Sequence, residues 1–250
     1  MLRMSLKRCS LPTLAGLALF LCCLLQAQAG LPKLPKAPTL PTAPAAPSGG
    51  NAADPSRWLN SADELVAQLQ GATDCLERSR GALFSLAATA EEKRLLQSMQ
   101  EETAATSDDV VEKTRQYQAE VVEQAKAEKR YEAKRLDATQ TANLGRLGAN
   151  LLLAVARDRQ ALVAGKSLLS DADNVMKAAG EPRNALKLGA DAGRLTAMPA
   201  RLNQALGGVP GQITALDALL GAVEQTRRSN PVELKPAPAG GGSYETVEDF

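Results

Sequence analysis

Histidine is absent from this chain of 250 residues. That absence excludes Ser-His-Asp triads, Cys-His dyads, His-ligated zinc, the HExxH helix and di-iron bundles built on Glu-x-x-His. Aromatic residues make up only 3%, too few for a sugar-stacking cleft or a base-stacking surface. Neither sign of charge dominates: 29 basic side chains face 28 acidic ones. The balance excludes a strongly basic nucleic-acid binder and an acidic disordered tail protein. No Gly-x-x-x-x-Gly-Lys phosphate loop occurs, and no GxGxxG follows a strand. Ser170-Asp171-Ala172-Asp173-Asn174 begins like a calcium loop. It fails at Val175, lacks the turn glycine and has Pro182 where a bidentate Glu should stand. The residues therefore imply no cofactor, no metal and no nucleic acid.

The first 29 residues read as an address. Arg3, Lys7 and Arg8 precede an apolar run from Leu14 to Leu25, and Ala27-Gln28-Ala29 before Gly30 has the small-x-small pattern of a signal-peptidase site. The run of 12 residues is short of the ~20 that a membrane span needs. Cleavage between Ala29 and Gly30 is the expectation, with export to the periplasm or beyond. Membrane contact is expected only if the segment stays uncleaved. Cleavage removes three bases, taking 29 to 26 against 28 acids, and removes Cys9, Cys22 and Cys23. Cys75 is then the one cysteine left, so no internal disulfide forms. It reads as a small buried apolar residue, or as half of an intermolecular disulfide in a homo-oligomer.

Residues 31–48 repeat one tripeptide, Leu/Ala-Pro-x, six times. Proline fixes φ and biases the preceding residue away from α. In polyproline II, at three residues per turn, the repeat puts all its prolines on one edge and spans about 55 Å at ~3.1 Å per residue. The segment 30–55 is accordingly a semi-rigid linker, or a ligand for an aromatic-lined groove. Asp54-Pro55 then reads as an N-cap followed by proline at the first helical position.

The 126 residues from Ser56 to Glu181 contain no proline and are rich in Ala, Leu, Glu, Lys, Arg and Gln, all good helix formers. The domain 56–230 is expected to be helical, with helices over roughly 57–87, 90–105, 108–179, 183–207 and 211–228. Capping boxes at Ser61–Glu64 and Thr89–Glu92, the stop at Gly180 with Pro182, and breaks at Pro210-Gly211 and Asn230-Pro231 set these limits. Pro199 is expected to kink its helix. Trp58, Ala62, Leu65, Leu69, Ala72, Leu76, Leu83 and Leu86 form one apolar stripe. Leu144, Leu147, Leu151, Val155, Leu162, Leu169 and Met176 lie near heptad positions. Residues 108–137, by contrast, hold eight acids and seven bases. Pairs such as Glu123–Lys126 and Glu132–Arg135 have helical spacing. With the preceding helix they suggest an arm over about 90–137. The expected fold class is all-α: an elongated helical bundle with a projecting antiparallel coiled-coil hairpin, flanked by the Pro-rich linker and a disordered C-terminal tail.

Residues 231–250 are read as a flexible linker and a C-terminal peptide. Tyr244 and Phe250 are two of the six aromatics that remain after the leader. A terminal Phe250 with Glu248 two residues earlier resembles a ligand of PDZ domains, which pair such a peptide with a sheet edge and hold its carboxylate. The resemblance covers four residues and implies docking through Tyr244, Glu248 and Phe250.

These features together suggest an exported, non-enzymatic helical scaffold, adaptor or holdase-type protein of the bacterial cell envelope that acts through protein–protein contacts. The alternatives are a helical ligand- or lipid-binding module and, with less support, a Glu-dependent cell-wall enzyme.

Overall fold

A computed structural model describes residues 54–102, 108–232, 234, 243–247 and 250, all within the unit Pro41–Phe250. The expected leader 1–29, Gly30 after it, the Leu/Ala-Pro-x repeat and Glu248 lie outside the described residues, and with them Ala27 and Ala29 of the expected cleavage site. Among the described residues the fold is all-α, with no strand: α1 (Pro55–Ala87), α2 (Ala90–Glu102), α3 (Asp108–Ala127), α4 (Ala138–Ala179), α5 (Pro182–Leu188), a 3-10 turn (Gly189–Asp191) and α6 (Ala192–Ser229).

Local chemistry fixes several ends. Asp54 accepts a hydrogen bond from the Ser56 amide at 3.0 Å, with Pro55 opening α1. Thr89 and Glu92 close a reciprocal capping box at the start of α2, at 2.7 and 3.2 Å. Gly180 ends α4, and Pro182 opens α5. Ser61, by contrast, lies inside α1, so its box signal marks no start.

α1, α4 and α6 pack up, down and up. The start of α1 (Trp58 to Leu69), the end of α4 (Ala161 to Val175) and the start of α6 (Leu195 to Val209) form one apolar core. The end of α1, the start of α4 and the end of α6 form a second, joined by Val121, Val122 and Ala125 of α3 and by Tyr131. Trp58 stitches the first core by donating its indole N–H to the Leu168 carbonyl at 2.9 Å. By length and composition alone Gly189–Ser229 would suffice to cross a membrane. Here its Leu195, Leu202, Leu216 and Val223 are buried against α1 and α4.

Five expectations need correction. The helix expected over 108–179 is broken at 128–137, and tertiary contacts do it. Tyr131 is fully buried and donates its hydroxyl to the Leu83 carbonyl at 3.1 Å. Arg130 forks onto Glu92 at 2.7 and 3.0 Å, and Lys129 takes a positive φ of 57°. The end of α6 clamps the broken segment: Asn230 accepts from the Leu136 amide and donates to the Lys134 carbonyl, each at 2.9 Å, while Ser229 donates to the Glu132 carbonyl. Glu132 pairs with Arg228 at 2.8 Å rather than with Arg135. α4 then restarts on a capping box of Asp137 and Gln140.

The hairpin is built into the bundle at its base, since Val121, Val122 and Ala125 are core residues. α6 continues through Pro210-Gly211, where the helix was expected to break, and also holds Pro199 within it. Each interior proline costs about 3 kcal/mol; burial of Met198, Leu202, Leu206 and Val209 offsets it. The C-terminal tail is not disordered where it is described: Tyr244, Val247 and Phe250 pack on the second core.

The heptad stripe on α4 also drifts. Leu144 to Val155 are buried, but the face then passes to Asp158, Ala161, Gly165, Ala172 and Val175, leaving Met176 exposed. A strict seven-residue repeat slips by ~20° per heptad on a straight helix. The small residues on this face admit α6 closely. A Cβ at Gly165 would sit 2.5–3.0 Å from Leu206 side-chain atoms, whereas one at Gly207 meets nothing within 4 Å.

Gly165→Ala is therefore expected to overpack the α4–α6 contact and lower stability by about 1 kcal/mol or more despite the gain in helix propensity. Gly207→Ala is expected to raise stability by up to about 1 kcal/mol. Urea unfolding followed by circular dichroism measures both.

Candidate functional site: a face that holds the C-terminal segment

The boundary between the two cores falls on polar or small residues in all three long helices: Gly71 in α1, Asp158 in α4 and Gln212 in α6. Thr73 of α1 donates to Gln212 Oε1 of α6 across this level at 3.2 Å. Next to it, on the α1–α4 face, lies the tail. Arg146, Asn150 and Arg157 follow one line of α4, four and then seven residues apart. Each meets the tail.

Asn150 reads main chain. Its side-chain amide donates to the Glu245 carbonyl at 2.7 Å and accepts from the Glu245 amide at 2.8 Å. A fork of this kind satisfies both polar groups of one extended residue without regard to its side chain. Asn150 is itself 6% exposed, which makes these bonds costly to lose. The Arg157 guanidinium lies over the Tyr244 ring, 4.7 Å from its centroid, an attractive arrangement of cation and ring quadrupole. Arg146 Nε lies 3.9 Å from Glu245 Oε2 in an exposed pair, worth little by itself. Farther along, Phe250 lines an open depression of about 310 Å³ with Gly81, Phe84, Leu96, Gln97 and Gln118.

Beneath the tail sit two buried titratable groups. Asp158 is 0% exposed, and neither carboxylate oxygen has a hydrogen-bond partner in the protein. Removal from water alone pushes its carboxyl up to about 6. Cys75 is 6% exposed; its sulfur lies 3.9 Å from the Ser79 hydroxyl. Burial pushes the thiol up to about 11, against the smaller opposing effects of Ser79, Arg78 and Arg157. Burial also raises the Tyr244 hydroxyl, Arg157 opposing it and the nearby Cys75 and Asp158 charges adding to it.

The fold packs Tyr244 and Phe250 on the core that contains Cys75. Tyr244 and Phe250 turn toward their own chain, so in this conformation they are not the free handle that the PDZ-like pattern implies. Cys75 is withdrawn and protonated at neutral pH, which disfavours the intermolecular disulfide. Sequence reasoning missed Asn150, Arg157 and Asp158. Only Asp158 left a signal, as an acid on a face otherwise made of Leu151, Ala154, Val155, Ala161 and Gly165. Among the described residues no three His, Cys, Asp or Glu side chains gather as a metal ligand set.

Asp158 yields a pH prediction. A carboxyl raised from 3.8 to about 6 binds its proton more readily in the folded state than in the unfolded one. Its penalty is absent below pH ~4, grows as pH rises, and is complete above pH ~6, reaching at most about 3 kcal/mol. Asp158→Asn is expected to raise the melting temperature at pH 7.5. The difference between variant and native chain should vanish toward pH 4. Scanning calorimetry across pH 4–8 tests this, and a pH-independent difference contradicts it.

Compared with known proteins, the chain matches no family model, no curated protein and no solved structure.

Proposed function

We propose that this chain is an exported, non-enzymatic helical scaffold or adaptor of the cell envelope, holdase-type action included, that works through protein–protein contacts. The observation that carries the reading is the seat of residues 243–247. A bundle face that grips an extended segment by its main chain, through a fork from Asn150, already has the chemistry of a peptide-contact surface. Export rests on the leader, and the Pro-rich repeat supplies reach away from a membrane or a partner.

The polar hairpin belongs to the same reading. α2 and α3 meet where Tyr117 donates its hydroxyl to the Glu92 carbonyl at 3.3 Å. Beyond the base of the hairpin, Leu95 and Val111 are 49% and 48% exposed. Their surroundings are helical polar pairs such as Gln97–Glu101 and Gln116–Glu112. In this proposal the outer part is a coiled-coil arm, and Leu95 and Val111 are its contact points.

Capture from envelope extract after cross-linking tests the proposal with three baits: the processed chain, the same chain ending at Gly242, and a Leu95→Glu, Val111→Glu double variant. A defined set of proteins is expected on the first bait and a changed set on the other two. Three folded, monodisperse baits that retain nothing, or turnover of cell-wall fragments by the purified chain, would contradict it.

A further inference from the structure

We propose that the α1–α4 face is a recognition site for an extended peptide bearing an aromatic residue followed by an acid, and that residues 243–247 are its tethered, displaceable occupant. A partner protein with the same pattern reaches the face only by displacing the tail. The inference deepens the protein-contact reading above by naming what the face takes.

The determinants come from three independent contacts. Asn150 fixes the register by holding both main-chain groups of one residue, at 2.7 and 2.8 Å. Arg157 selects an aromatic ring one position before it, 4.7 Å from the guanidinium carbon. Arg146 adds a small preference for an acid at the forked position, its Nε 3.9 Å from the Glu245 carboxylate in an exposed pair. The two arginines flank the fork on one helix line, so the face suits an acidic segment. The tail meets that demand, with Glu245, Glu248 and Asp249 among its last six residues.

The occupant is also imperfect, and this makes it displaceable. Both Asp158 oxygens beneath the tail are buried without a hydrogen bond, and buried orphan groups weaken the association that keeps water from them. Thr246 is exposed. What holds the tail is then partly proximity. Leu234 packs beside Gly148 and Glu245 sits at Asn150, two residues along the same helix. The eight residues between Leu234 and Ser243, Lys-Pro-Ala-Pro-Ala-Gly-Gly-Gly, tie one anchor to the other. A short tether of this composition gives an effective concentration on the order of millimolar. A free ligand of equal intrinsic affinity is therefore excluded until its concentration rivals that value. A better-matched one, with a donor for Asp158, is not.

The test uses a fluorescently labelled peptide of residues 243–250, the processed chain, and the processed chain ending at Gly242. Anisotropy is expected to show saturable binding to the truncated chain and at least ~10-fold weaker binding to the intact chain, whose own tail competes. Asn150→Ala in the truncated chain, or Tyr244→Ala in the peptide, is expected to weaken binding by at least ~10-fold. No binding to the folded truncated chain overturns the proposal. So does binding that is indifferent to Asn150 or to the presence of the tail. If the truncated chain melts at room temperature, the intact chain with Tyr244→Ala replaces it: binding stronger than to the native chain supports the proposal, and equal binding overturns it. All components are purified, so an empty capture from extract leaves this result standing, and absence of peptide binding leaves the arm-mediated contacts of the broader reading standing.

Discussion

The approach of α4 to its two long neighbours governs this molecule. α4 must lie close enough to α1 and α6 to bury a face that, past Val155, is made of Ala161, Gly165, Ala172 and Val175. Small residues bury little apolar area each, so they stabilise chiefly by letting the large side chains of α1 and α6 reach across. Leu206 fills the space over Gly165, and Val223 lies near Gly148. The three-helix core then gives α3, the broken segment 128–137 and the tail a rigid surface to lie on. The interior prolines of α6 persist because this packing outweighs their cost.

One group on that face resists the arrangement. Asp158 occupies the boundary between the two cores with no hydrogen-bond partner for its oxygens. A buried carboxyl without partners costs stability at neutral pH, and a sequence shaped by packing alone would place an apolar residue there. Its place beside Tyr244 connects that cost with the face that carries the tail. The protein thus combines a cohesive frame with one seat that is polar, partly unsatisfied and filled by its own terminus, a pattern expected where local consistency yields to function.

Much of the frame was legible from local chemistry. Asp54-Pro55, the Thr89–Glu92 box and Gly180 with Pro182 act within a few residues of themselves, and each sets an observed end. All eight residues of the stripe from Trp58 to Leu86 are buried. The break at 128–137 escaped because Ala125-Lys126-Ala127-Glu128-Lys129-Arg130 is made of strong helix formers. It is imposed from a distance by Leu83, Glu92 and Asn230, and α4 restarts beyond it on the Asp137–Gln140 capping box. The tail's aromatics stood out by composition, but composition does not say which surface they face. Asn150 and Arg157 are ordinary polar residues on a long helix until the fold sets a peptide against them.

Amide hydrogen exchange measures the central claim directly, because the seat of the tail rests on one main-chain fork. The Glu245 amide is expected to exchange at least ~10-fold more slowly than an unstructured amide in the native chain. Asn150→Ala should return it to the unstructured rate, while amides in the middle of α4 stay protected. An unstructured rate for Glu245 in the native chain, or slow exchange that survives Asn150→Ala, would contradict the account.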